Sequence, residues 1–158
     1  MEILLVFYSR SGRTKKIAKN LSAQLKCDME EIFDTKNRKG IAGFLSAGTD
    51  ANLRRLTVLK DIKKDPSLYD LIIIGTPIWS SNISTPIRTY ISLYKKDLEN
   101  VAFFCTRLGS NTKKVFTDME NMCQKKPLAL LELTSREITR NLYAQKLKEF
   151  VEKIKVKG

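Results

Sequence analysis

Short runs of consecutive apolar residues alternate along this chain with segments in which apolar residues recur every three or four positions. The segment Glu2–Tyr8 is almost continuously apolar, which is typical of a strand buried on both faces of a parallel sheet. After a polar loop, the spacing of a helix with one buried side begins at Ile17, Ala18, Leu21 and Leu25. A strand, a tight loop and a helix in this order form the first half of a βαβ unit.

The same alternation continues to the last residues of the sequence. Leu71–Gly75 is the clearest strand, because its β-branched isoleucines disfavour helix. Thr85 and Pro86 form a cap and a first-turn proline, which predicts a helix from Pro86 to about Tyr94. The other predicted strands are Met29–Phe33, Val101–Cys105 and Leu128–Leu133. The other predicted helices lie within Lys39–Ala47, over Asn111–Gln124, and over about Thr139–Lys155 with Ile138 and Leu142 on the apolar face.

Strands that alternate with helices, with no hairpin signal, predict an α/β fold. We expect a three-layer sandwich in which an open five-stranded parallel sheet carries helices on both faces. The strand order 2-1-3-4-5 fits this pattern, and ligands of such sheets bind beyond the carboxyl ends of the strands, where the order reverses. Three loops should converge there: Ser9–Thr14, Thr76–Ser84 and Thr106–Thr112. The 158 residues fit one domain, which we expect to span residues 1–158.

The amino-acid composition excludes several catalytic mechanisms and metal sites. The chain has no histidine, which removes Ser-His-Asp and Cys-His mechanisms and imidazole-ligated metals. Cys27, Cys105 and Cys123 are widely spaced, so neither a disulfide framework nor a zinc site is predicted. We interpret Cys105 as a core residue, although it falls at the end of the predicted fourth strand, close to the expected ligand site. No catalytic side chain and no metal site are predicted, and we expect the chemistry to come from a cofactor.

The net charge of +12, from 29 basic and 17 acidic residues, makes nucleic acids and other anionic partners candidates. The basic residues are dispersed, however, and no RNA-binding signature or aromatic-interleaved stripe accompanies them. A generally basic surface is therefore favoured over a specific nucleic-acid site.

Nothing in the sequence predicts membrane insertion or export. The longest aliphatic run, Leu71–Ile74, is far too short to cross a bilayer. Glu2 stands where a signal peptide carries positive charge, and the apolar stretch Ile3–Phe7 is too brief for one. We expect a cytoplasmic protein with no membrane span.

The first loop has the composition of a phosphate site. It combines hydroxyls with Gly12, two arginines and the start of a helix, so free N–H groups and the positive helix end face one spot. It has neither the Walker A spacing nor the dinucleotide-binding glycine pattern. The alternative is that these hydroxyls simply cap the helix.

The other two loops carry weaker signals. The second contains Trp79, the chain's single tryptophan, among small polar residues, which suits stacking on a flat heteroaromatic ring. The alternative is that Trp79 packs under its own loop. The third loop has one glycine, Gly109, and helix-capping residues, and it enters the argument through its position after the fourth strand.

Two motifs resemble those of the flavodoxin family. Tyr8–Thr14 is similar to the family's T/S-x-T/S-G-x-T phosphate loop, and Gly75–Trp79 is similar to its second flavin loop. The resemblance extends over essentially the whole chain, including Gly40–Leu45 and Lys126–Leu133, and fits the short-chain members of the family. It implies a flavodoxin-like fold and non-covalently bound FMN.

The resemblance also implies the cofactor-binding residues. The first loop would hold the 5′-phosphate, the second would lie along one side of the isoalloxazine, and the third would contact its pyrimidine edge and other flank. The residues are Ser9, Arg10, Ser11, Gly12, Arg13 and Thr14 in the first loop; Thr76, Pro77, Ile78, Trp79, Ser80, Ser81 and Asn82 in the second; and Thr106, Arg107, Leu108 and Gly109 in the third.

Two features depart from the family pattern. Electron-transferring flavodoxins are usually acidic, whereas this chain is strongly basic. They also commonly place an aromatic residue in the third loop, where this chain has Arg107 and Leu108. The second face of the flavin would then be more open, with room for a substrate.

Three functions follow from these observations. The first is electron transfer through FMN to redox partner proteins, which the basic surface predicts to be acidic. The second is an FMN-dependent NAD(P)H:quinone-type reductase that takes hydride from NAD(P)H and passes it to a small acceptor. The third is a basic binding module that no longer holds FMN, against which the intact hydroxyl-glycine loop argues. Cations on or just after the three loops should favour the reduced flavin: Arg10, Arg13, Lys15, Lys16, Arg88, Arg107, Lys113 and Lys114.

Overall fold

The computed structural model describes residues 1–35, 40–109 and 112–157. Its strands are β1 (Ile3–Phe7), β2 (Asp28–Glu31), β3 (Leu71–Trp79), β4 (Asn82–Ile83), β5 (Asn100–Arg107) and β6 (Leu130–Thr134). Its α-helices are α1 (Arg13–Leu25), α2 (Gly40–Asn52), α3 (Thr85–Tyr94), α4 (Thr112–Cys123), α5 (Ser135–Thr139) and α6 (Ala144–Lys157). A 3-10 turn, Pro66–Leu68, precedes β3.

The five longer strands form one parallel sheet in the order β2-β1-β3-β5-β6. In the centre of the sheet, Leu5 of β1 pairs with Ile73 of β3, and Ile73 pairs with Ala102 of β5. Counted without the two-residue β4, this is the predicted order 2-1-3-4-5, and the predicted fold class is confirmed. The order reverses between β1 and β3, so the carboxyl ends of these two strands and of β5 border one crevice.

Two apolar layers, one on each face of the sheet, form the core. Alternate residues of β1 face opposite sides: Leu5 packs with α1, α5 and α6, whereas Leu4 and Val6 pack with α2, α3 and α4. Every residue of β1 is buried, which explains why its sequence is continuously apolar rather than alternating. The result is the predicted sandwich of three layers.

A hairpin follows the central strand, contrary to the prediction that the chain has none. Strand β3 continues beyond Gly75 to Trp79, and β4 returns antiparallel to it, with Ile78 opposite Ile83. The two turn residues, Ser80 and Ser81, have φ values of 46° and 57°. Primed hairpin turns need this left-handed backbone and usually take Asn or Gly there, so Ser-Ser gave no recognisable signal. The sheet consequently has six strands rather than five.

The predicted C-terminal helix is two helices. Thr134 caps α5: its hydroxyl accepts a hydrogen bond from the Glu137 backbone N–H, and the Glu137 side chain accepts one from the Thr134 backbone. The helix ends before Asn141, whose φ is 57°, and α6 begins at Ala144. Ile138 is buried as expected, but Leu142 lies between the two helices and is exposed, so its predicted place on the apolar face is wrong.

The remaining boundaries move by a few residues at each end. β2 covers Asp28–Glu31 rather than Met29–Phe33, and β6 covers Leu130–Thr134 rather than Leu128–Leu133. Helix α2 extends to Asn52, beyond the predicted limit of Ala47. Lys39 and Asn111, with which two predicted helices begin, fall outside the described residues. Within the described ranges, no helix has both the length and the apolarity that a membrane span requires.

Candidate cofactor site

The first loop, between β1 and α1, is organised by its own side chains. Ser9 Oγ accepts hydrogen bonds from the backbone N–H groups of Gly12 at 3.1 Å and Lys15 at 3.2 Å. Gly12 has a φ of 87°, a left-handed conformation that favours glycine. The first turn of α1 also presents the N–H groups of Arg13 and Thr14, which have no acceptor within the helix. This arrangement can bind an anion through backbone N–H groups at the positive helix end.

A buried hydrogen bond joins the first loop to the third. Thr14 Oγ1 lies 2.9 Å from Thr106 Oγ1, and both side chains are buried. Because β5 neighbours β3 and not β1, this contact spans the crevice below the loops. Thr14 and Thr106, both predicted to bind the cofactor, are bonded to each other below the loops in this structure.

Polar bonds also fix the hairpin that follows β3. Thr76 Oγ1 accepts from the Ser84 backbone N–H at 3.1 Å and lies 2.9 Å from Ser84 Oγ. Asn82 Nδ2 donates to the Ser80 carbonyl at 2.6 Å across the turn, and Lys114 Nζ donates to Asn82 Oδ1 at 2.7 Å. The side chains of Thr76 and Asn82 thus brace the hairpin.

Trp79 is the last residue of β3, and its side chain turns into the core. It is 6% exposed and belongs to the apolar layer between the sheet and helices α2, α3 and α4. Its ring packs edge to face on Tyr8, with centroids 5.4 Å apart and planes at 89°. Trp79 nevertheless forms a wall of two surface cavities, so its predicted stacking on a ring stays a prediction.

The third loop contributes a cation and an apolar side chain. Arg107 Nη2 lies 3.7 Å from Glu132 Oε1, and the Arg107 carbonyl accepts from Ser135 Oγ at 3.1 Å. The buried Nε of Arg107 has no hydrogen-bond partner among the described residues. Leu108 is 68% exposed.

Two neighbouring cavities lie at this end of the sheet and share three wall residues, Ile78, Trp79 and Leu108. The smaller cavity, of about 50 Å³, reaches the first loop and is rich in cations. Its further lining residues are Arg10, Ser11, Arg13, Pro77, Thr106, Arg107 and Ser135. Of these, the sequence reasoning missed Ser135, which belongs to no recognised motif. The hydrogen bond from its hydroxyl to the Arg107 carbonyl holds it beside the third loop.

The larger cavity, of about 320 Å³, has mostly apolar walls and lies between the hairpin and α2. Ser80 completes its predicted lining, and Leu45, Gly48 and Thr49 of α2 form the side that sequence reasoning missed. Only the segment Gly40–Leu45, noted above for its resemblance, pointed towards this helix. Volumes of this order are typical of small-molecule sites.

The predicted site residues thus divide into two groups. Ten line one or both cavities: Arg10, Ser11, Arg13, Pro77, Ile78, Trp79, Ser80, Thr106, Arg107 and Leu108. The other seven do not line them in the described part of the chain: Ser9, Gly12, Thr14, Thr76, Ser81, Asn82 and Gly109. Ser9, Gly12, Thr14, Thr76 and Asn82 instead shape the loops that carry the first group.

The cysteines take no part in this site. Cys105 is fully buried in β5, and Cys123 is buried in α4. Burial raises the pKa of Cys105 far above its usual range and that of Cys123 to about 12. Both thiols are therefore protonated and unreactive near neutral pH, as the interpretation of Cys105 as a core residue requires.

The fold agrees with comparisons to known proteins. A sequence model of the flavodoxin family matches residues 2–154. The chain therefore belongs to the flavodoxin family. No curated protein sequence gives a significant match.

Solved structures of flavoproteins share the fold. A flavoprotein from Lactobacillus acidophilus NCFM in complex with FMN is 24% identical, with a TM-score of 0.70, over 88% of this chain and 97% of that one. The apo-form of the flavoprotein from the same organism is 25% identical, with a TM-score of 0.62, over 88% of this chain and 95% of that one. Two-electron reduced flavodoxin from Megasphaera elsdenii is 16% identical, with a TM-score of 0.63, over 96% of each chain.

Proposed function

We propose that this member of the flavodoxin family binds FMN non-covalently and acts as an electron carrier. The observation that carries the proposal is the pair of adjoining cavities, one cationic and one apolar, that share Ile78, Trp79 and Leu108. The two ends of FMN match these two cavities, because FMN has a negatively charged phosphate at one end and an apolar tricyclic ring at the other. The related Lactobacillus flavoprotein, whose structure contains FMN, supports the same cofactor.

The first loop would hold the phosphate. Backbone N–H groups at the start of α1 face the loop, and Ser11, Arg10 and Arg13 line the cavity beside it. Ser9 already accepts from two backbone N–H groups, so its part is to fix the loop. Arg13 Nη1 donates to Ser11 Oγ at 3.3 Å, which places the cation and the hydroxyl side by side for one anion.

The apolar cavity would hold the ring. Leu45, Ile78 and Leu108 offer apolar walls, and exclusion of water by these side chains strengthens the polar contacts at the ring edge. Bound FMN would supply the electron-transfer chemistry of the site. Arg10, Arg13 and Arg107 give the site a positive potential, which favours the reduced, more negatively charged state of a flavin.

The absorption spectrum of the purified protein tests the proposal. We expect flavin bands in the visible region, their loss on treatment with dithionite, and their return when FMN is added to stripped protein. A colourless protein that takes up no FMN would overturn the proposal that FMN is the cofactor, and a binding module without FMN would then be the remaining function.

The proposed function also suggests which proteins are the redox partners, and we propose in addition that the whole chain forms one domain. The positive surface around the site favours acidic redox partner proteins, whose association should slow as salt rises. Residues 1–158 would form one domain, since the described helices all pack on one sheet. The rates of electron transfer to an acidic and to a basic acceptor protein, each measured at two salt concentrations, test the preference for acidic partners.

An FMN-dependent NAD(P)H:quinone-type reductase is the second candidate. The exposed Leu108 leaves one side of the apolar cavity accessible, which gives a small acceptor a way to the ring. Oxidation of NAD(P)H by the purified holoprotein with a quinone, and without an added reductase, would establish this activity. No oxidation under those conditions would leave the carrier function.

A further inference from the structure

Arg88, in the first turn of α3, is a buried cation with unpartnered nitrogens. The residue is 6% exposed. Its Nε and Nη2 atoms are buried and have no hydrogen-bond partner in the part of the chain that the structure describes. Its third nitrogen, Nη1, donates to Met122 Sδ of α4 at 3.7 Å. Because a thioether sulfur is a weak acceptor, the guanidinium is almost unsatisfied.

Burial of such a group is unfavourable. Burial lowers the pKa of Arg88, and the positive charge of Arg54 lowers it further, whereas Asp118 raises it. Arginine stays protonated in proteins, so the fold keeps a positive charge between α3 and α4. A charge in this setting needs a counter-ion and hydrogen-bond acceptors.

Among the described residues, Asp118 is the carboxylate that acts on Arg88, and it already interacts with two other cations. Asp118 Oδ2 accepts from Lys114 Nζ at 2.9 Å and lies 3.9 Å from Arg54 Nη2. Arg54, Arg88, Lys114 and Asp118, named here the Arg88 cluster, therefore combine three positive charges with one negative charge. Lys114 also bonds to Asn82 of the hairpin, so the cluster adjoins the hairpin, and none of its four residues is among the described residues that line the two cavities.

We propose that the Arg88 cluster is a second anion site that binds a phosphate group. The unpartnered Nε and Nη2 atoms form one edge of the guanidinium, where two parallel N–H bonds match two oxygens of a phosphate. Arg54, whose side chain is 60% exposed, lies at the surface of the cluster, where its guanidinium can donate a further hydrogen bond to the anion. The inference goes beyond the proposed function and does not rest on FMN binding.

Phosphate titration of the purified FMN-loaded protein tests the site, with sodium chloride holding the ionic strength constant. The readout is the Nε–H resonance of Arg88, assigned by its loss in Arg88→Lys. We expect saturable movement of this resonance. In protein without FMN, the added phosphate could also bind to the first loop. The Ser11→Ala variant controls for this, because we expect the Arg88 resonance to move in this variant as it does in the unmodified protein.

Exposed variants keep the test independent of folding. Arg54→Gln should weaken phosphate binding about tenfold, the loss expected for a hydrogen bond to a charged group. Arg140→Gln, which removes an exposed arginine at the end of α5, should bind phosphate as the unmodified protein does. In phosphate-free buffer Arg88→Met should unfold at a higher temperature than the unmodified protein, because an unpaired buried charge is gone, and added phosphate should no longer raise its midpoint.

A parallel titration with AMP separates two sources of the phosphate. Binding at least tenfold tighter than that of inorganic phosphate indicates a nucleotide, and equal affinities indicate the free ion; either result supports the site. An Arg88 resonance that moves with neither ligand would overturn the proposal. So would unchanged phosphate affinity in Arg54→Gln, or a lower unfolding temperature for Arg88→Met in phosphate-free buffer.

Discussion

The first loop and the β3–β4 hairpin border the same cavities, yet they are built in different ways. In the first loop, Ser9 and Gly12 organise the backbone through contacts within a few residues. In the hairpin, Trp79 packs on Tyr8, which directly follows β1, and Asn82 accepts a hydrogen bond from Lys114 of α4. The first loop is therefore a local device for presenting N–H groups, whereas the hairpin is part of the core.

This difference predicts which property each region controls. Substitutions in the first loop should change cofactor affinity and leave the free energy of unfolding nearly unaltered. Substitutions in the hairpin and the strand before it should lower the free energy of unfolding, with any loss of affinity following from that.

Trp79→Ala should have the largest effect. Removal of this buried ring leaves a cavity against Tyr8, and we expect the free energy of unfolding of the apoprotein to fall by about 4 kcal/mol. Urea unfolding followed by circular dichroism measures it, with Trp79→Phe as the control that keeps an aromatic ring. A loss of FMN affinity with unaltered apoprotein stability would instead show that Trp79 acts chiefly by stacking on the ring.

Gly75→Ala should have the next largest effect, because a Cβ at Gly75 would overlap the ring of Phe104 in β5. We expect destabilisation of about 2 kcal/mol, as for other overpacked cores. Gly109→Ala is the matched control, since a Cβ there meets nothing within 4 Å, and it should change stability by less than about 0.5 kcal/mol. Equal effects of the two variants in urea unfolding would refute the close packing of β3 on β5.

Ser11→Ala should act on affinity alone. Loss of a hydroxyl beside the phosphate should weaken FMN binding about tenfold, which is roughly 1.4 kcal/mol. Fluorescence titration of apoprotein with FMN measures it, and Ser92→Ala, an exposed position of α3, is the control. Affinity that equals that of the control would contradict the role of the first loop.

The N-terminal cap of α5, which lies beside the cavity residue Ser135, should make the stability of the protein depend on pH. Burial raises the pKa of Glu137, but hydrogen bonds from Lys146 and Thr134 outweigh it and lower the pKa to about 2, from an ordinary value of 4.5. Because the folded pKa is the lower one, the stabilisation is complete above pH 4.5 and fades as pH falls towards 2.

Glu137→Gln should therefore be less stable than the unmodified protein at pH 7 by about 1 kcal/mol or less, and the difference should shrink below pH 4.5. Thermal unfolding of both proteins at a series of pH values tests this. A difference that is constant from pH 7 to pH 3 would rule out the ionised cap.

Much of the fold was predictable because its signals are local. The continuous apolar run of β1 and the isoleucines of β3 report burial on both faces, and the helical spacing of α1 reports burial on one. The family resemblance and the fold class are both confirmed. The hairpin was missed because Ser80 and Ser81 adopt left-handed backbone without the usual residues. The break after α5 was missed because Leu142 continues the apolar spacing of a helix that ends before it.

The candidate site was predictable only in part. The residues of the first loop that line the cationic cavity, Arg10, Ser11 and Arg13, lie within four positions of the chain, so the composition of one short segment pointed to them. Leu45, Gly48 and Thr49 lie some thirty residues from any predicted loop, and they reach the apolar cavity because α2 packs beside the hairpin.

By itself the amino-acid sequence determined the alternation of strands and helices and the lack of histidine chemistry, and it predicted a phosphate site in the first loop, because spacing and residue type act over one or two turns of backbone. Only the tertiary structure decided that Trp79 is buried, that α2 forms a wall of the apolar cavity and that two buried nitrogens of Arg88 have no hydrogen-bond partner among the described residues. Those properties depend on which distant side chains share a space, and contacts between distant segments leave no local pattern in the chain.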